Sequence, residues 1–206
     1  MKNYLTALSA TALISFVPFA MAASSTELTV TGSITPSACE PSFPGGSDVH
    51  YGQIQVKDLF TDRVTPMTVQ RKTINVACDA PTKLAMHVID NRPNTSSSNS
   101  FFGMGLTPSD EKIGHFVPWI FNVLADGAAA RSILSNNQGN TWLPAAYIAP
   151  NQYLSVSTVA DTTTPIDVEN LSMELEVRGW IARADSLTLT EDVAIDGSVT
   201  FEMKYL

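Results

Sequence analysis

The stretch that most constrains the fold of this chain is Ala23-Ser-Ser-Thr-Glu-Leu-Thr-Val-Thr-Gly-Ser-Ile34. Leu28, Val30, Gly32 and Ile34 occupy alternate positions in it, with polar residues between them. Successive side chains of a β-strand point to opposite faces, so this period of two predicts an extended strand with one apolar face.

The other end of the chain has the same pattern. Apolar and aromatic residues alternate with polar ones up to the penultimate position of the sequence. They are Val199, Phe201, Met203 and Tyr205. We therefore predict a second strand there, so that β-strands lie near both ends of the exported protein.

The first 22 residues have the features of a secretory signal peptide. Lys2 supplies a positive charge, residues 5–19 are mostly apolar, and Ala20-Met21-Ala22 is a small-x-small cleavage site. A transmembrane anchor is the alternative, but the apolar run is short for a bilayer span and is closed by Pro18 and the cleavage site. We expect residues 1–22 to be removed on export. An N-terminal extension, residues 23–35, would then precede one domain, residues 36–206.

The net charge and the length of the chain limit the classes of function that this protein can have. The formal net charge is −8 at pH 7, and neither an acidic tail nor a basic block is present. An acidic exported protein is poorly suited to bind nucleic acid or anionic lipid. The residues that follow the signal are numerous enough for one domain with a sizeable core.

The sequence contains two cysteines, Cys39 and Cys78. Export would place both in an oxidising compartment, where one disulfide is the simple expectation. Such a bond would contribute about 3–4 kcal/mol by restricting the unfolded chain. A zinc site would need further ligands nearby, and a redox pair would be more closely spaced.

Five further segments are predicted strands between turn signals rich in Pro, Gly, Asn and Ser. They are residues 51–56, 68–78, 83–89, 152–159 and 172–181. A helical pattern is limited to residues 123–131, where Gly127 weakens it, so we expect at most a short helical turn. Many short strands separated by turns predict one all-β domain, an immunoglobulin-like β-sandwich.

No catalytic constellation is evident in the sequence. The histidines, His50, His87 and His115, lack metal-ligand spacing, and His87 is expected to be a hydrogen-bonded core residue. The acidic residues between 185 and 196 lack the spacing of a calcium loop and are expected to form a solvated loop. We therefore expect a protein that is not an enzyme and needs no cofactor and no metal.

The three tryptophans have two candidate roles. Trp119, Trp142 and Trp180 could line a sugar site or fill a core. Core packing is the preferred prediction because each indole buries a large apolar area.

Several features of the chain occur together in the order found in one class of proteins. A strand-like extension follows the signal, Gly32 lies seven residues before Cys39, and Cys78 ends a predicted strand. Tyr205 is the penultimate residue of an alternating strand. In these features the chain resembles pilus subunits of the chaperone–usher class. Its closing stretch, residues 185–201, resembles the fimbrial-like DUF1120 family.

The resemblance implies an incomplete immunoglobulin-like fold that lacks its last strand and is completed by the donor strand of a neighbour. The donor positions carried over are Thr26, Leu28, Val30, Gly32 and Ile34. The strand bordering the resulting groove, which a chaperone would contact, carries Val199, Phe201, Met203 and Tyr205.

The resemblance also implies partners and a location. The partners would be a periplasmic pilus chaperone, an outer-membrane usher and sister subunits, and no receptor is specified. The location would be a fimbria on the surface of a Gram-negative cell, reached through the periplasm.

Two other functions stay open at this point. One is a complete secreted β-sandwich that binds carbohydrate or protein, with residues 26–34 as an ordinary first strand. The other is a hydrolase whose site residues meet only in three dimensions. A two-domain tip adhesin is disfavoured, because its receptor-binding domain would precede the predicted extension.

Overall fold

The computed structural model describes residues 29–31 and 38–206. The chain divides into two units at Ile34 and Thr35, and the fold described below is that of the second unit. The predicted signal peptide and most of the donor positions, Thr26, Leu28, Gly32 and Ile34, lie outside the described residues. The described donor position is Val30, a residue that is 87% exposed.

Residues 38–206 contain eleven β-strands and two 3-10 turns, Val56–Asp58 and Ala184–Ser186. The strands are β1 Cys39–Ser42, β2 Thr65–Pro66, β3 Gln70–Asp90, β4 Phe102–Gly103, β5 Gly114–Ala125, β6 Ala128–Ala129, β7 Arg131–Ser135, β8 Leu143–Pro144, β9 Tyr153–Ser157, β10 Asp167–Ile181 and β11 Val199–Tyr205. No α-helix occurs between residues 38 and 206. The prediction of an all-β fold is confirmed.

The strand that organises the fold is β3, which is 21 residues long and belongs to two antiparallel sheets. Its first half joins a first sheet in the order β1–β3–β10–β5, with short β2, β4 and β6 at the margins. Its second half joins a second sheet in the order β11–β3–β9–β7–β8. The predicted strands 68–78 and 83–89 are thus one continuous strand.

The two sheets share one hydrophobic core. Met173 and Leu175 of the first sheet pack in the same buried cluster as Met86 and Leu154 of the second. Along β10 the buried residues alternate with residues of the outward face, as period-two alternation requires. The arrangement is a curled sheet consistent with the predicted β-sandwich.

Two predictions of local structure are wrong. Residues 51–56 form irregular chain that ends in a 3-10 turn, because no strand pairs with them despite their alternating pattern. Residues 123–131 contain a β-hairpin between β5 and β6 in place of a helical turn. Its turn residues, Asp126 and Gly127, both have positive φ, the conformation that a tight two-residue hairpin demands.

The tryptophans divide between the core and the surface. Trp142 is buried, as predicted, in a small cluster with Ala85 and Ile133. Trp119 and Trp180 lie on the outward face of the first sheet, where Trp180 pairs with His115 across β10 and β5. The prediction of core packing is therefore wrong for Trp119 and Trp180, because the alternation of side chains along β5 and β10 places both on the face that points away from the core.

Gly114 shows how closely β5 and β10 approach. A Cβ atom at this position would collide with the carbonyl oxygen of Trp180. We expect Gly114→Ala to lower the free energy of unfolding by about 1–3 kcal/mol, as overpacking does elsewhere. Urea unfolding monitored by circular dichroism measures this loss. The matched control is Gly45→Ala, where the added methyl group meets no atom within 4 Å, and equal midpoints for the two variants would contradict the prediction.

Candidate functional site

The disulfide fixes the first strand of the unit. Cys39 of β1 is bonded to Cys78 of β3, and these two residues are also partners in the strand register. The predicted pairing is confirmed, and no described cysteine is free. A disulfide is typical of an oxidising compartment, so the protein belongs outside the cytosol, in the periplasm or the extracellular space.

The last strand, β11, pairs with the second half of β3 along its whole length, from Val199 opposite Asp90 to Tyr205 opposite Leu84. Its odd-numbered side chains Val199, Phe201 and Met203 pack against the core. Its even-numbered side chains face outward and make polar contacts instead. The alternation therefore holds for Val199, Phe201 and Met203, whereas Tyr205 is 44% exposed.

His87 lies beside the outward-facing side chains of β11. Its Nδ1 lies 3.4 Å from a carboxylate oxygen of Glu202, and its ring contacts Tyr153. The expectation of a hydrogen-bonded core histidine is thus half right, because His87 has a polar partner but stands on the outward side of the sheet with its cross-strand neighbours.

Among residues 38–206, one edge of β11 has no partner strand. Asn91 donates its backbone N–H to the oxygen of Ser198, and Leu206 donates to the oxygen of Lys83. Along a strand, the backbone N–H and C=O groups of successive residues point to opposite edges. These bonds therefore direct the backbone groups of the even-numbered residues of β11 toward β3, and those of the odd-numbered residues toward the other edge. Within residues 38–206 only β3 pairs with β11, so the far edge offers hydrogen-bonding groups to a further strand.

An open cleft of about 450 Å³ lies beside this edge, and we call it the first cleft. One wall is the inward face of β5 and β10, with Phe116, Leu175 and Val177. The opposite side carries Val199 and Phe201 of β11. The interior of the sandwich is thus accessible at this place, lined by side chains of the kind that normally fill a core.

The first cleft lies beside only the first half of the strand that was predicted to border it. Val199 and Phe201 line it, whereas Met203 and Tyr205 do not. The hydroxyl of Tyr205 accepts a hydrogen bond of 3.1 Å from the backbone N–H of Cys39, which joins the end of β11 to the start of β1. The cleft therefore extends from Phe201 toward Ile195. The sequence predicted a groove along residues 199–205 and not this extension before β11.

A second cleft of about 730 Å³ continues the first. It lies between residues 49–56 and residues 187–195, and the two clefts share Val49, His50, Tyr51 and Ile195. Its apolar lining includes Ile54, Val56, Leu59, Ile113, Ile181, Leu187, Leu189 and Val193. Alternation at Leu187, Leu189, Val193 and Ile195 was the sequence signal that could have identified this wall.

Residues 187–198, which we call the strap, are anchored by side chains at both ends. Glu111 accepts hydrogen bonds from the backbone N–H and the hydroxyl of Thr188. Near the other end, Arg92 makes a two-point ion pair with Asp196, at 2.6 and 2.8 Å. The acidic residues predicted to form a solvated loop include Asp196, which instead holds this strap in place.

The anchors shift the acidity of both carboxyl groups. The pKa of Glu111 lies below its ordinary value, chiefly because the backbone N–H of Thr188 donates to the ionised carboxylate. The pKa of Asp196 is lowered chiefly by its hydrogen bonds from Arg92. Both anchors therefore depend on ionised carboxylates.

We expect Glu111→Gln to loosen the strap at neutral pH. The folded-state pKa of Glu111 is depressed, so its stabilising contribution is present above the unfolded pKa and is lost as the pH falls through the folded pKa. Amide exchange at Thr188 should be faster in the variant at pH 7, and this difference should vanish in acid. The control is Glu191→Gln, exposed on the same strap, and an equal effect of the two changes would contradict the anchor.

Two kinds of feature are absent from the described residues. No group of three or more His, Cys, Asp or Glu side chains in that part of the chain is placed to hold a metal ion. Between residue 38 and the end, no helix has the length and apolar character needed to cross a membrane.

Comparison with known proteins gives two similarities. Residues 28–100 match a family described as a protein of unknown function, DUF1120. The whole chain aligns with protein GltF of Escherichia coli strain K12, at 24% identity over 251 aligned positions that cover 98% of that protein. The matched family region includes both cysteines and all of β3, whereas the closing stretch 185–201, which resembles the same family, lies outside it.

Proposed function

We propose that this protein is a structural subunit of a chaperone–usher fimbria, assembled by donor-strand exchange. The observation that carries the proposal is the unpaired edge of β11 beside an open apolar cleft in the sandwich. An edge strand of this kind invites pairing with another chain, and natural proteins usually cover or charge such edges.

The physics of strand addition suits the predicted donor. Backbone hydrogen bonds to the free edge of β11 would supply affinity, and the cleft would supply register by accepting alternate side chains. Burying each of Leu28, Val30 and Ile34 would contribute about 1.5–3 kcal/mol before the costs of association. Gly32 would suit a shallow place where two backbones approach closely.

The proposal includes the partners and the location. A periplasmic chaperone would cover the edge of β11 during export, since an apolar cleft beside a free strand is an aggregation hazard. An outer-membrane usher would exchange the chaperone for a sister subunit, and the fibre would stand on the cell surface. Assembly needs no catalysis, cofactor or metal.

A second candidate function is adhesion-like binding by the outward face of the first sheet. His115 stacks between Phe101 and Trp180, with ring centroids 5.6 and 5.2 Å apart. Next to this row Trp119 contacts Tyr147, and Arg178 lies over Trp119 at 4.4 Å. Aromatic residues and arginine are enriched in binding surfaces, which favours a carbohydrate- or protein-binding role here.

Size analysis of the exported protein tests the first proposal. With a co-expressed pilus chaperone we expect an equimolar soluble complex by size-exclusion chromatography. Without the chaperone we expect aggregated protein or fibres, visible by negative-stain electron microscopy. A soluble monomer under both conditions would favour a complete sandwich and refute the proposal.

A further inference from the structure

Two arginines on the outward face of the first sheet share one carboxylate. Arg71 of β3 donates two hydrogen bonds to one carboxylate oxygen of Glu176, at 2.7 and 3.0 Å. Arg178 donates two to the other oxygen, at 2.7 and 3.2 Å. The pKa of Glu176 is lowered, chiefly by the hydrogen bonds from Arg178 and then by those from Arg71, so the carboxylate is ionised at neutral pH. It holds both guanidinium groups in fixed orientations.

This pair of guanidinium groups can accept a further anion. Among the described residues, the Nη1 atoms of Arg71 and Arg178 have no hydrogen-bond partner, and Glu176 makes the ion pairs of both. Glu174, the next carboxylate on this face, is bound by the side-chain amide of Asn122 at 2.9 Å and acts on Arg71 without an ion-pair contact. Two guanidinium groups therefore contact one carboxylate, and their remaining N–H groups suit a second one.

Aromatic rings lie next to Arg178. Its Cζ atom is 4.4 Å from the ring centroid of Trp119 and 5.7 Å from that of Phe121. Tyr147 contacts Trp119, with ring centroids 5.4 Å apart, and both Tyr147 and Phe121 are exposed. The site thus offers apolar ring surface directly beside a charged hydrogen-bond donor, a combination suited to an amphipathic ligand.

The position of this site in the sheet limits the kind of ligand. Glu176 is paired with Arg71 on one side and with Trp119 on the other, so the backbone groups of β10 are already used there. An extended peptide that binds by strand addition would find no free edge. The net charge of −8 disfavours nucleic acid. A sugar fits, because side chains alone can bind it, with its C–H groups against rings and its polar groups on planar polar side chains.

We propose that this face binds a glycan through a sugar residue that carries a carboxylate, either a uronic acid or a sialic acid. The inference rests on the second candidate function and is independent of strand exchange. The carboxylate pairs with the guanidinium N–H groups that Glu176 leaves free, and the sugar ring packs against Trp119 and Tyr147. The acidic group determines specificity, because hydrogen bonds between charged partners are the strong ones.

Binding of defined sugars to the exported protein, alone or in its chaperone complex, tests the inference. The acidic probes are the methyl glycosides of glucuronic acid and of N-acetylneuraminic acid. Methyl glucoside is the matched neutral probe, since it lacks only the carboxylate of the glucuronic acid. Saturation-transfer NMR and quenching of tryptophan fluorescence report binding. The variants are Arg178→Gln, Trp119→Ala and the control Lys204→Gln, which removes an ion-paired cation from the second sheet.

We expect at least one acidic probe to bind about tenfold or more tightly than methyl glucoside, as a hydrogen-bonded charge pair predicts. Arg178→Gln should remove this preference, Trp119→Ala should weaken binding of the acidic probe, and Lys204→Gln should change neither. Circular dichroism checks that each variant is folded, and the preference of the wild type for acidic probes needs no variant.

The outcomes separate the inference from the functions that it builds on. Equal binding of acidic and neutral probes would overturn the acidic specificity while carbohydrate binding stands. Absence of binding to every probe would overturn the inference and carbohydrate binding together, and would leave strand exchange unaffected. Wild-type affinity in folded Arg178→Gln would place the site elsewhere. If Trp119→Ala changes self-association in sedimentation and no sugar binds, the face contacts a second copy and the inference is wrong.

Discussion

Deleting residues 23–34 from the exported chain is expected to abolish assembly and to leave the β-sandwich folded. The core clusters of the described residues are built from Cys39 onward, on both sheets. If the segment serves a neighbour, its loss removes the donor strand and leaves the acceptor intact. The variant should therefore bind the chaperone like the wild type but form no fibres.

An ordinary first strand predicts the opposite result. Loss of three buried apolar side chains would then cost several kcal/mol, which is comparable to the net stability of a domain. Chaperone co-purification, thermal unfolding and electron microscopy of the deletion variant separate the two interpretations. A variant that unfolds before binding the chaperone, or that still forms fibres, would refute strand exchange.

Two single substitutions test the same segment more specifically. Gly32→Leu places a bulky side chain on the predicted apolar face of the donor, whereas Ser33→Leu places the same side chain on the opposite face. We expect the first to stop fibre growth and the second to permit it. Equal effects of the two substitutions would mean that the segment does not insert with a defined face.

Replacing both cysteines by serine is expected to produce the second large effect. The bond joins residues 39 positions apart, and opening a loop of this size costs about 3–4 kcal/mol in the chain-entropy model. With a urea slope of about 2 kcal/mol/M, the unfolding midpoint should fall by about 1.5–2 M. The bond also holds β1 against β3, so the loss should include fraying of this edge of the sandwich.

Wild-type protein unfolded with and without a reductant provides the matched control. Reduced wild type and the Cys39→Ser/Cys78→Ser variant should unfold at similar urea concentrations, well below the oxidised wild type. A variant as stable as the oxidised protein would show that β1 is held by its strand pairing alone.

Much of the fold follows from local patterns in the sequence. Period two along β10 and β11 identifies which residues face the core, because side chains alternate in any strand. The hairpin at Asp126 and Gly127 was equally readable from the sequence, since Asp-Gly is a strong signal for a two-residue turn.

The sequence by itself determined the all-β class, the disulfide between Cys39 and Cys78 and the inward face of β11, since each depends on composition or on side-chain alternation within one strand. Only the tertiary structure decided where the sandwich is open. Alternation tells which residues share a face but not what covers it, so residues 51–56 resembled a strand and yet have no partner. The second cleft forms where the strap lies opposite residues 49–56, more than 130 positions earlier in the chain. Glu111 and Arg92 bind the strap near its two ends.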